Sequence, residues 1–600
     1  ALSNLASGGV TGGALIIVGE DYGQGSSIMQ ERTHAFAMKS QIWLLDPRPN
    51  LSHIVDMVDA GFRLSEASHT PVILELRVRA CHVTGRFTAK DNRRPALTVA
   101  QAAREPRRDT NRIVLPPANF LHEREKIEQR WPNAVHFIEA EKLNEFMGPA
   151  SSEIGIIVQG GLFNSLNRAL ELMELSNEFG YTKIPVYCLN VTYPLVPSEI
   201  QSFCAGKRAV LMIEEGQPEF IEHELNTLIR KADLQTRVVG KDVLPRAGEY
   251  TSQSITDGLA KFLSAWSPAL SPVDVTANAA HEDLASIVPQ RPAGFCTGCP
   301  ERPIFTAMKL VERELGPSHV SADIGCHLFS ILPPFNIGNT TMGYGLGTAG
   351  AAAFKTHGKP AIAVMGDGGF WHNGLTSGIG GAVFNKNDTV TLIVDNGYSA
   401  ATGGQDIMSS RGVNTDRSTN NTIQRALQGI GIDWIRSITH TYNVELMRNT
   451  LKDALTSSIK GPKVIVAQSE CMLNKERREK PLIKRDIIAG KRIVRDRFGI
   501  DPETCTGDHA CIRLSGCPSL SIKSNPDPLR RDPIAHIDNS CVGCGLCGEA
   551  SHAAILCPSF YKVSVVHNPN RWDRFHQGLR RALIGFMQMH AEAGLRKRQF

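Results

Sequence analysis

The 600-residue sequence has no apolar run approaching the roughly 18 residues that a membrane-spanning helix needs. Its strongest apolar stretches, such as Ala14–Val18 and Ala361–Met365, are far shorter. It also lacks a strong charge of either sign: the net charge of +5 is small for this length, so charge alone implies no nucleic-acid partner. No fixed-period repeat or low-complexity tract is present. The 53 glycines and 33 prolines are near average usage, which excludes collagen-like and disordered chains. An initiating methionine and the basic start of a signal peptide are missing too. Because a strand-like run begins as early as Ala14, the chain is expected to be part of a longer one. What is left is a large globular chain of roughly three to five domains.

Cysteine, by contrast, is plentiful and unevenly placed. Seven of the 14 cysteines fall between Cys505 and Cys557, in tight clusters. Bunching of this kind suits metal ligation in a reducing cytoplasm better than bridging of distant loops.

Three regions alternate strand-like apolar runs with helical patterns, which predicts α/β layers with parallel sheets. In the first, Ala14–Val18 and Pro71–Val78 read as strands around a helix at Leu51–Phe62. Residues 82–125 are polar, rich in arginine, and read as a connector. The second has strands at Ile154–Val158, Ile184–Cys188 and Val210–Ile213, with helices at Asn164–Phe179 and Pro218–Lys231. A proline-bearing linker (Pro268, Pro272, Pro289, Pro292) leads to the third region, with strands at Ala361–Met365, Val390–Val394 and Val464–Gln468. Residues 475–497 then carry ten Lys/Arg against four Asp/Glu. Such a run is either a docking surface for an acidic partner or a solvated helix. The cysteine-rich segment beyond leaves little room for a hydrophobic core.

The strand Ala361–Met365 runs into Gly366-Asp367-Gly368-Gly369. A glycine-rich turn opening a helix presents backbone N–H groups to phosphate, and Asp367 adds a hard oxygen ligand there. A second strand ends in Asp395-Asn396-Gly397-Tyr398. If the two strands are parallel neighbours, both carboxyl ends share one sheet edge, where α/β ligands bind. Asp367, the Asn396 side-chain oxygen and one backbone carbonyl would give magnesium three of its six oxygen ligands. The bland alternative is a plain turn and a helix-capping asparagine.

Cys541-x2-Cys544-x2-Cys547 has the spacing by which a [4Fe–4S] cube takes three thiolates from one loop. Cys517-Pro518 and Cys557-Pro558 both offer a fourth; a structural zinc site is the competing reading. The reading adopted gives one cluster to Cys541, Cys544, Cys547 and Cys517. Cys505-x2-Asp508-x2-Cys511 has the same spacing with an aspartate, a harder ligand, in the middle. Cys505, Cys511 and Cys557, with Asp508 or an open corner, would hold a second cluster, isolated as [3Fe–4S] if the corner stays open; otherwise the loop is degenerate and holds nothing. A third cluster on Cys296, Cys299, Cys326 and Cys471 is set against buried free thiols, and Cys81, Cys188 and Cys204 are read as core thiols.

The GDG turn with Asn396, 26 residues lying between Gly368 and Asp395, resembles the thiamine diphosphate signature. Thr402-Gly403-Gly404-Gln405 is similar to the motif of 2-oxoacid:ferredoxin oxidoreductases. Thr11-Gly12-Gly13, Asp21-Tyr22-Gly23 with Ser26-Ser27, CTGCPERP at 296–303 and DIGC at 323–326 extend the resemblance along nearly the whole chain. The chain thus resembles the alpha subunits of indolepyruvate:ferredoxin oxidoreductases. Glu301 departs from the family, which has a histidine there, so a phosphate contact from that position is in doubt; Arg302 is a candidate to replace it.

The resemblance implies an α/β fold with several thiamine-enzyme-type parallel-sheet domains plus a C-terminal ferredoxin-like iron–sulfur domain. Residues 1–80 would be the end of the pyrimidine-binding domain, 81–150 a connector and 151–265 a transketolase C-terminal-like domain, with Glu214-Glu215-Gly216 at a strand end. A linker at 266–292, a thiamine diphosphate and magnesium domain at 293–480, two-cluster ferredoxin-like residues at 498–562 and a helical tail at 563–600 would follow. Cofactor contacts would come from Gly366, Asp367, Gly368, Gly369, Asn396 and Tyr398, the last lending its carbonyl to Mg2+, and from Cys296, Cys299 and Cys326. The catalytic glutamate would lie upstream of Ala1. The implied activity is oxidative decarboxylation of aryl 2-oxoacids to the acyl-coenzyme A, with electrons passing through iron–sulfur clusters to ferredoxin. A smaller beta subunit would complete a cytoplasmic hetero-oligomer, with neither nucleic acid nor membrane involved. Other 2-oxoacids as substrate, or a non-catalytic electron-transfer subunit, are the alternatives; no aromatic-pocket signature decides among them.

Overall fold

The computed structural model describes residues 2–22, 29–92, 98–106, 109–177, 180–271, 287–288, 293–354, 359–410 and 421–596. Most of the expected linker, and Gly23, Ser26 and Ser27 of the first motif, lie outside the described residues. The chain forms two compact units, Ala1–Gln290 and Arg291–Phe600.

The first unit holds two sheets. One runs in the order β1 (Leu15–Glu20), β3 (Val72–Arg77), β2 (Trp43–Leu45), β7 (Val191–Tyr193). β1, β3 and β2 are parallel, and β7 closes the edge antiparallel to β2. The crossover helix Leu51–Ser68 starts where the Asn50 side chain accepts the His53 N–H at 3.2 Å. Met57, Ala60, Leu64 and Ser68 recur at spacings of three and four and form its buried stripe. Burying Met57 and Leu64 contributes roughly 1.5–3 kcal/mol each.

The other sheet runs β4 (Glu145–Met147), β6 (Val186–Leu189), β5 (Ile154–Gln159), β8 (Ala209–Ile213), β9 (Arg237–Val239), parallel except for β4. β5, β6 and β8 are buried at every position, because helices cover both faces. The helices Phe163–Leu172 and Ser252–Trp266 cover one face and Phe220–Lys231 the other. This explains why these strands are continuous apolar runs in the sequence rather than alternating ones.

The second unit is built on a parallel sheet ordered β11 (Thr340–Thr341), β10 (Val320–Ala322), β12 (Ala361–Gly366), β13 (Thr389–Asp395), β15 (Lys463–Gln468), β14 (Trp434–Ile438). The helices Arg302–Leu315 and Val444–Thr456 pack on one face, and the core they share extends to Ala510, Leu514, Leu546 and Ala550. The cysteine-rich segment is thus fastened to the same hydrophobic core as the sheet. Its own framework is two antiparallel ribbons, β16 (Ile493–Ile500) with β19 (Phe560–His567) and β17 (Leu520–Lys523) with β18 (Ile534–Ile537), plus two short helices, Ala510–Ser515 and Leu546–Ile555. The basic run lies mainly in the helix Met472–Ile488, which has no buried residue. No described helix is long and apolar enough to cross a membrane.

Several expectations are corrected. The helix expected at Asn164–Phe179 ends at Leu172, because Glu174 takes a left-handed conformation that breaks it. The connector is helical over Ala118–Ala140 and buries Arg130, whose guanidinium donates to the Ala6 and Ser7 carbonyls. Cys188 and Cys204 are buried thiols, but Cys81 is exposed and no core residue. The cysteine-rich segment does have a small core of its own, Leu520, Ile534 and Ala535 packed with Cys505, Cys511 and Cys547. The short strands β2, β4, β7, β9 and β14 were not legible, since three to five residues carry too little pattern.

Candidate functional site

β12 and β13 are parallel neighbours in register from Ala361↔Thr389 to Gly366↔Val394. The register delivers Asp367 and Asn396 to one edge of the sheet. Asp367 is 1% exposed: Oδ1 accepts the Gly368 N–H at 2.8 Å and Oδ2 the Gly397 N–H at 2.6 Å. Burial, helped by the charge of Asp395, pushes its carboxyl well above the usual range against the pull of these N–H groups. Asn396 is buried, and its Oδ1 accepts the Tyr398 N–H at 3.2 Å. Asp395 turns aside to Gln468 Nε2 at 2.8 Å.

The glycines of the turn are required by space. A Cβ on Gly368 would stand 2.2 Å from Tyr344 Oη, and one on Gly369 2.0 Å from Asp323 Oδ2. With side chains excluded, the backbone of the turn is bare, as close approach of a diphosphate demands. A buried carboxylate that keeps free lone pairs beside an asparagine oxygen is the donor chemistry that Mg2+ takes. The residues present therefore fit a magnesium diphosphate.

The sequence reading missed the pair that organises this edge. Asp323 is fully buried; Oδ2 accepts the Gly345 N–H at 2.7 Å, Oδ1 accepts the Gly366 N–H at 3.3 Å, and His327 Nε2 lies 2.7 Å from Oδ1. Burial disfavours the imidazolium of His327, but the Asp323 hydrogen bond and charge outweigh that and hold its pKa up at about 9. An aspartate at the end of β10 followed four residues on by histidine was the available signal. Glu301 is also here: it is buried beside Asn396, and its Oε2 has no partner. Burial raises its pKa to about 7, partly offset by His327. Arg302 does not replace it at this edge. Its guanidinium points to the cysteine-rich segment, donating to the Ser515 carbonyl at 3.1 Å. The TGGQ segment forms a tight turn in which Gln405 O accepts the Ser399 N–H at 2.9 Å, and Ser399 Oγ reaches Tyr344 Oη at 2.8 Å.

The thiols sort into groups. Cys517, Cys541, Cys544 and Cys547 line one enclosed cavity, together with Arg302. Cys505, Cys511 and Cys557 line a second with Asp508, and burial raises the Cys511 thiol to about 11. Among the described residues no three His, Cys, Asp or Glu side chains are gathered tightly enough for one metal ion. A cube holds its thiolates around four separate irons, and four cysteines around one cavity are the donor chemistry it uses. Asp508 is engaged elsewhere: Oδ1 accepts the Ala510 N–H at 3.0 Å and Oδ2 pairs with Arg513 Nη2 at 2.9 Å. In the third group, burial raises the Cys326 thiol, with added charge effects from Glu301, Cys471 and Cys296. Cys471 donates its N–H to the Asn396 carbonyl at 3.0 Å, which sets this thiol beside the Asp367–Asn396 edge. Cys299 is partly buried near Glu301, Arg302 and Cys326, and Cys296 is exposed.

Residues 323–467 match the family described as thiamine pyrophosphate enzyme, C-terminal TPP binding domain. The chain is 25% identical over 588 residues to the indolepyruvate oxidoreductase subunit IorA of Pyrococcus horikoshii, covering 92% of this chain and 83% of the relative. It is 27% identical over 572 residues to the subunit of the same name from Methanothermobacter thermautotrophicus, covering 92% and 82%. The resemblance read from the motifs thus runs through nearly all of the chain. A solved 2-oxoglutarate:ferredoxin oxidoreductase from Magnetococcus marinus is 19% identical, covers 30% of this chain and 66% of its own, and has a TM-score of 0.26, too slight a likeness to build on.

Proposed function

We propose that this chain is the large subunit of a 2-oxoacid:ferredoxin oxidoreductase acting on aryl 2-oxoacids such as indolepyruvate and phenylpyruvate. Substrate and coenzyme A would yield the aryl-acetyl-coenzyme A, carbon dioxide, a proton and two electrons, the electrons leaving singly through iron–sulfur clusters to ferredoxin. The observation that carries the reading is the pairing of Asp367 with Asn396 at one sheet edge in the same compact unit as two thiol-lined cavities. A plain electron carrier has no use for that edge, and a non-redox decarboxylase has none for the cavities. The names of the relatives support the aryl substrate and a partner subunit.

Asp367, Asn396 and the Tyr398 carbonyl would hold magnesium, and the bare Gly366–Gly369 turn would face the diphosphate. Bound thiamine diphosphate supplies the electron sink for loss of carbon dioxide. Asp323 fixes the turn by receiving the Gly345 and Gly366 N–H groups and holds His327 protonated against it. Cys517, Cys541, Cys544 and Cys547 would carry one [4Fe–4S] cluster. Cys505, Cys511 and Cys557 would carry the second, whose fourth corner stays open, as in [3Fe–4S], while Asp508 remains paired with Arg513. A third cluster on Cys296, Cys299, Cys326 and Cys471 is favoured by the nearness of Cys471 to Asn396.

The test is anaerobic reduction of a viologen by the complete complex with indolepyruvate, phenylpyruvate, pyruvate or 2-oxoglutarate, each with and without coenzyme A. Aryl substrates should be preferred, with reduction dependent on coenzyme A. Preference for pyruvate would overturn the aryl assignment. A purified complex without thiamine diphosphate, whose activity survives Asp367→Ala, would overturn the class.

A further inference from the structure

Arg302 is fully buried at the first position of the helix Arg302–Leu315. A cation there is unfavourable on two counts: it opposes the positive helix end, and a buried charge without a counter-ion costs several kcal/mol. Among the described residues no carboxylate pairs with it. Nη1 donates to the Ser515 carbonyl, but Nε and Nη2 are buried without a partner. The groups around the guanidinium are thiols: Cys517 first, then Cys299 and Cys544. Arg302 also lines the cavity of Cys517, Cys541, Cys544 and Cys547. Two orphaned, charged donors thus face a site that becomes anionic only when loaded.

Resting on the function proposed above, we propose that Arg302 is the counter-charge and N–H···S donor of the first iron–sulfur cluster, and that it sets the reduction potential of that cluster. A cation and hydrogen bonds at the sulfurs favour the more negative, reduced form and so raise the potential. The placement also orders the electron path. Glu301 lies beside Asn396 while its neighbour Arg302 lines the first cavity. The second cavity, by contrast, is lined only by residues of the segment Ile500–Phe560. Of these two clusters the first therefore lies on the side of the Asn396 edge, held ready by Arg302, and the second lies beyond it toward the exit.

The experiment is an electron paramagnetic resonance redox titration of the complete complex carrying Arg302→Met or Arg302→Lys, with Thr306→Ala as control. Thr306 Oγ1 donates to the Leu514 carbonyl at 2.7 Å, so it ties the same backbone segment without charge. Arg302→Met should move the midpoint of one cluster to more negative potential, Arg302→Lys less so, and leave the other cluster in place. Thr306→Ala should move neither. Should the methionine variant not fold, Arg302→Gln is titrated in its stead. Unchanged midpoints in the variants that load the cluster overturn the proposal, as does an equal shift from Thr306→Ala. Iron and acid-labile sulfide missing from the unaltered complex would instead overturn the function on which it rests.

Discussion

Replacing Arg77 by methionine should strongly destabilise the first unit. Arg77 is 6% exposed, and its guanidinium lies 2.5 Å from Glu215, 3.0 Å from Asp46, 3.4 Å from Glu75 and 3.8 Å from Glu20. These four carboxylates come from β1, β3, the loop after β2 and the end of β8, so one side chain ties the two sheets together. Removing one partner of a buried pair costs about 3–5 kcal/mol, and here four buried carboxyls would be left without their cation, which places the loss at the upper end, about 5 kcal/mol. For a unit of this size that is a fall of roughly 10 °C or more in Tm. The sign with pH follows from the carboxyls. Burial raises Glu75 well above its ordinary pKa, and burial likewise raises Asp46 and Glu215 even with Arg77 present. Without the arginine they rise further, so the folded state of the variant binds more protons than the unfolded chain. Stability that is present below the unfolded pKa values is then lost as pH rises through the folded ones. The deficit should be larger at pH 8 than at pH 5. Urea unfolding of Arg77→Met and the parent at both values measures it. A variant within about 1 kcal/mol of the parent at pH 8, or a deficit that grows on acidification, refutes the reasoning.

Other outcomes follow from the same geometry. Gly369→Ala would drive its Cβ into Asp323 and displace the turn, so thiamine diphosphate binding by calorimetry should be lost and turnover should fall about a hundredfold. Cys547→Ser should remove about four irons per chain in metal analysis while leaving the signal of the other cluster. Asp508→Cys should free Arg513 and convert a three-iron signal into that of a complete cube; if Asp508→Ala lowers the iron content instead, the aspartate is a ligand after all. His327→Asn should weaken coenzyme-dependent turnover with little change in iron content, since it removes the charge held by Asp323 without touching a thiol.

Much of the candidate site was legible because its parts are local. A cysteine loop such as Cys541–Cys547 stands out by spacing within seven residues, and a GDG turn after an apolar run needs no distant partner to be recognised. The buried parallel strands were legible for a similar reason, since burial on both faces leaves an uninterrupted apolar run. Arg302 shows the limit. From sequence it stood as a substitute for a missing phosphate contact, yet the helix it opens turns it away from Asn396 and into the thiol cavity. Asp508 was read by its spacing alone, and the spacing says nothing of the arginine five residues later that takes its carboxylate.

By itself, then, the order of residues determined the layered α/β class, the strand-to-turn GDG segment proposed to meet a diphosphate, and which cysteines lie together on a loop. Tertiary structure alone decided that Asp323 and His327 organise the turn, that Glu301 reaches Asn396, that Arg77 joins four carboxylates, and which thiols share a cavity. The physical reason is the difference between short-range and long-range order. Backbone propensity and ligand spacing act within a few residues, whereas burial, which strips charges of water and compels them to find partners, is set by elements far apart in the chain.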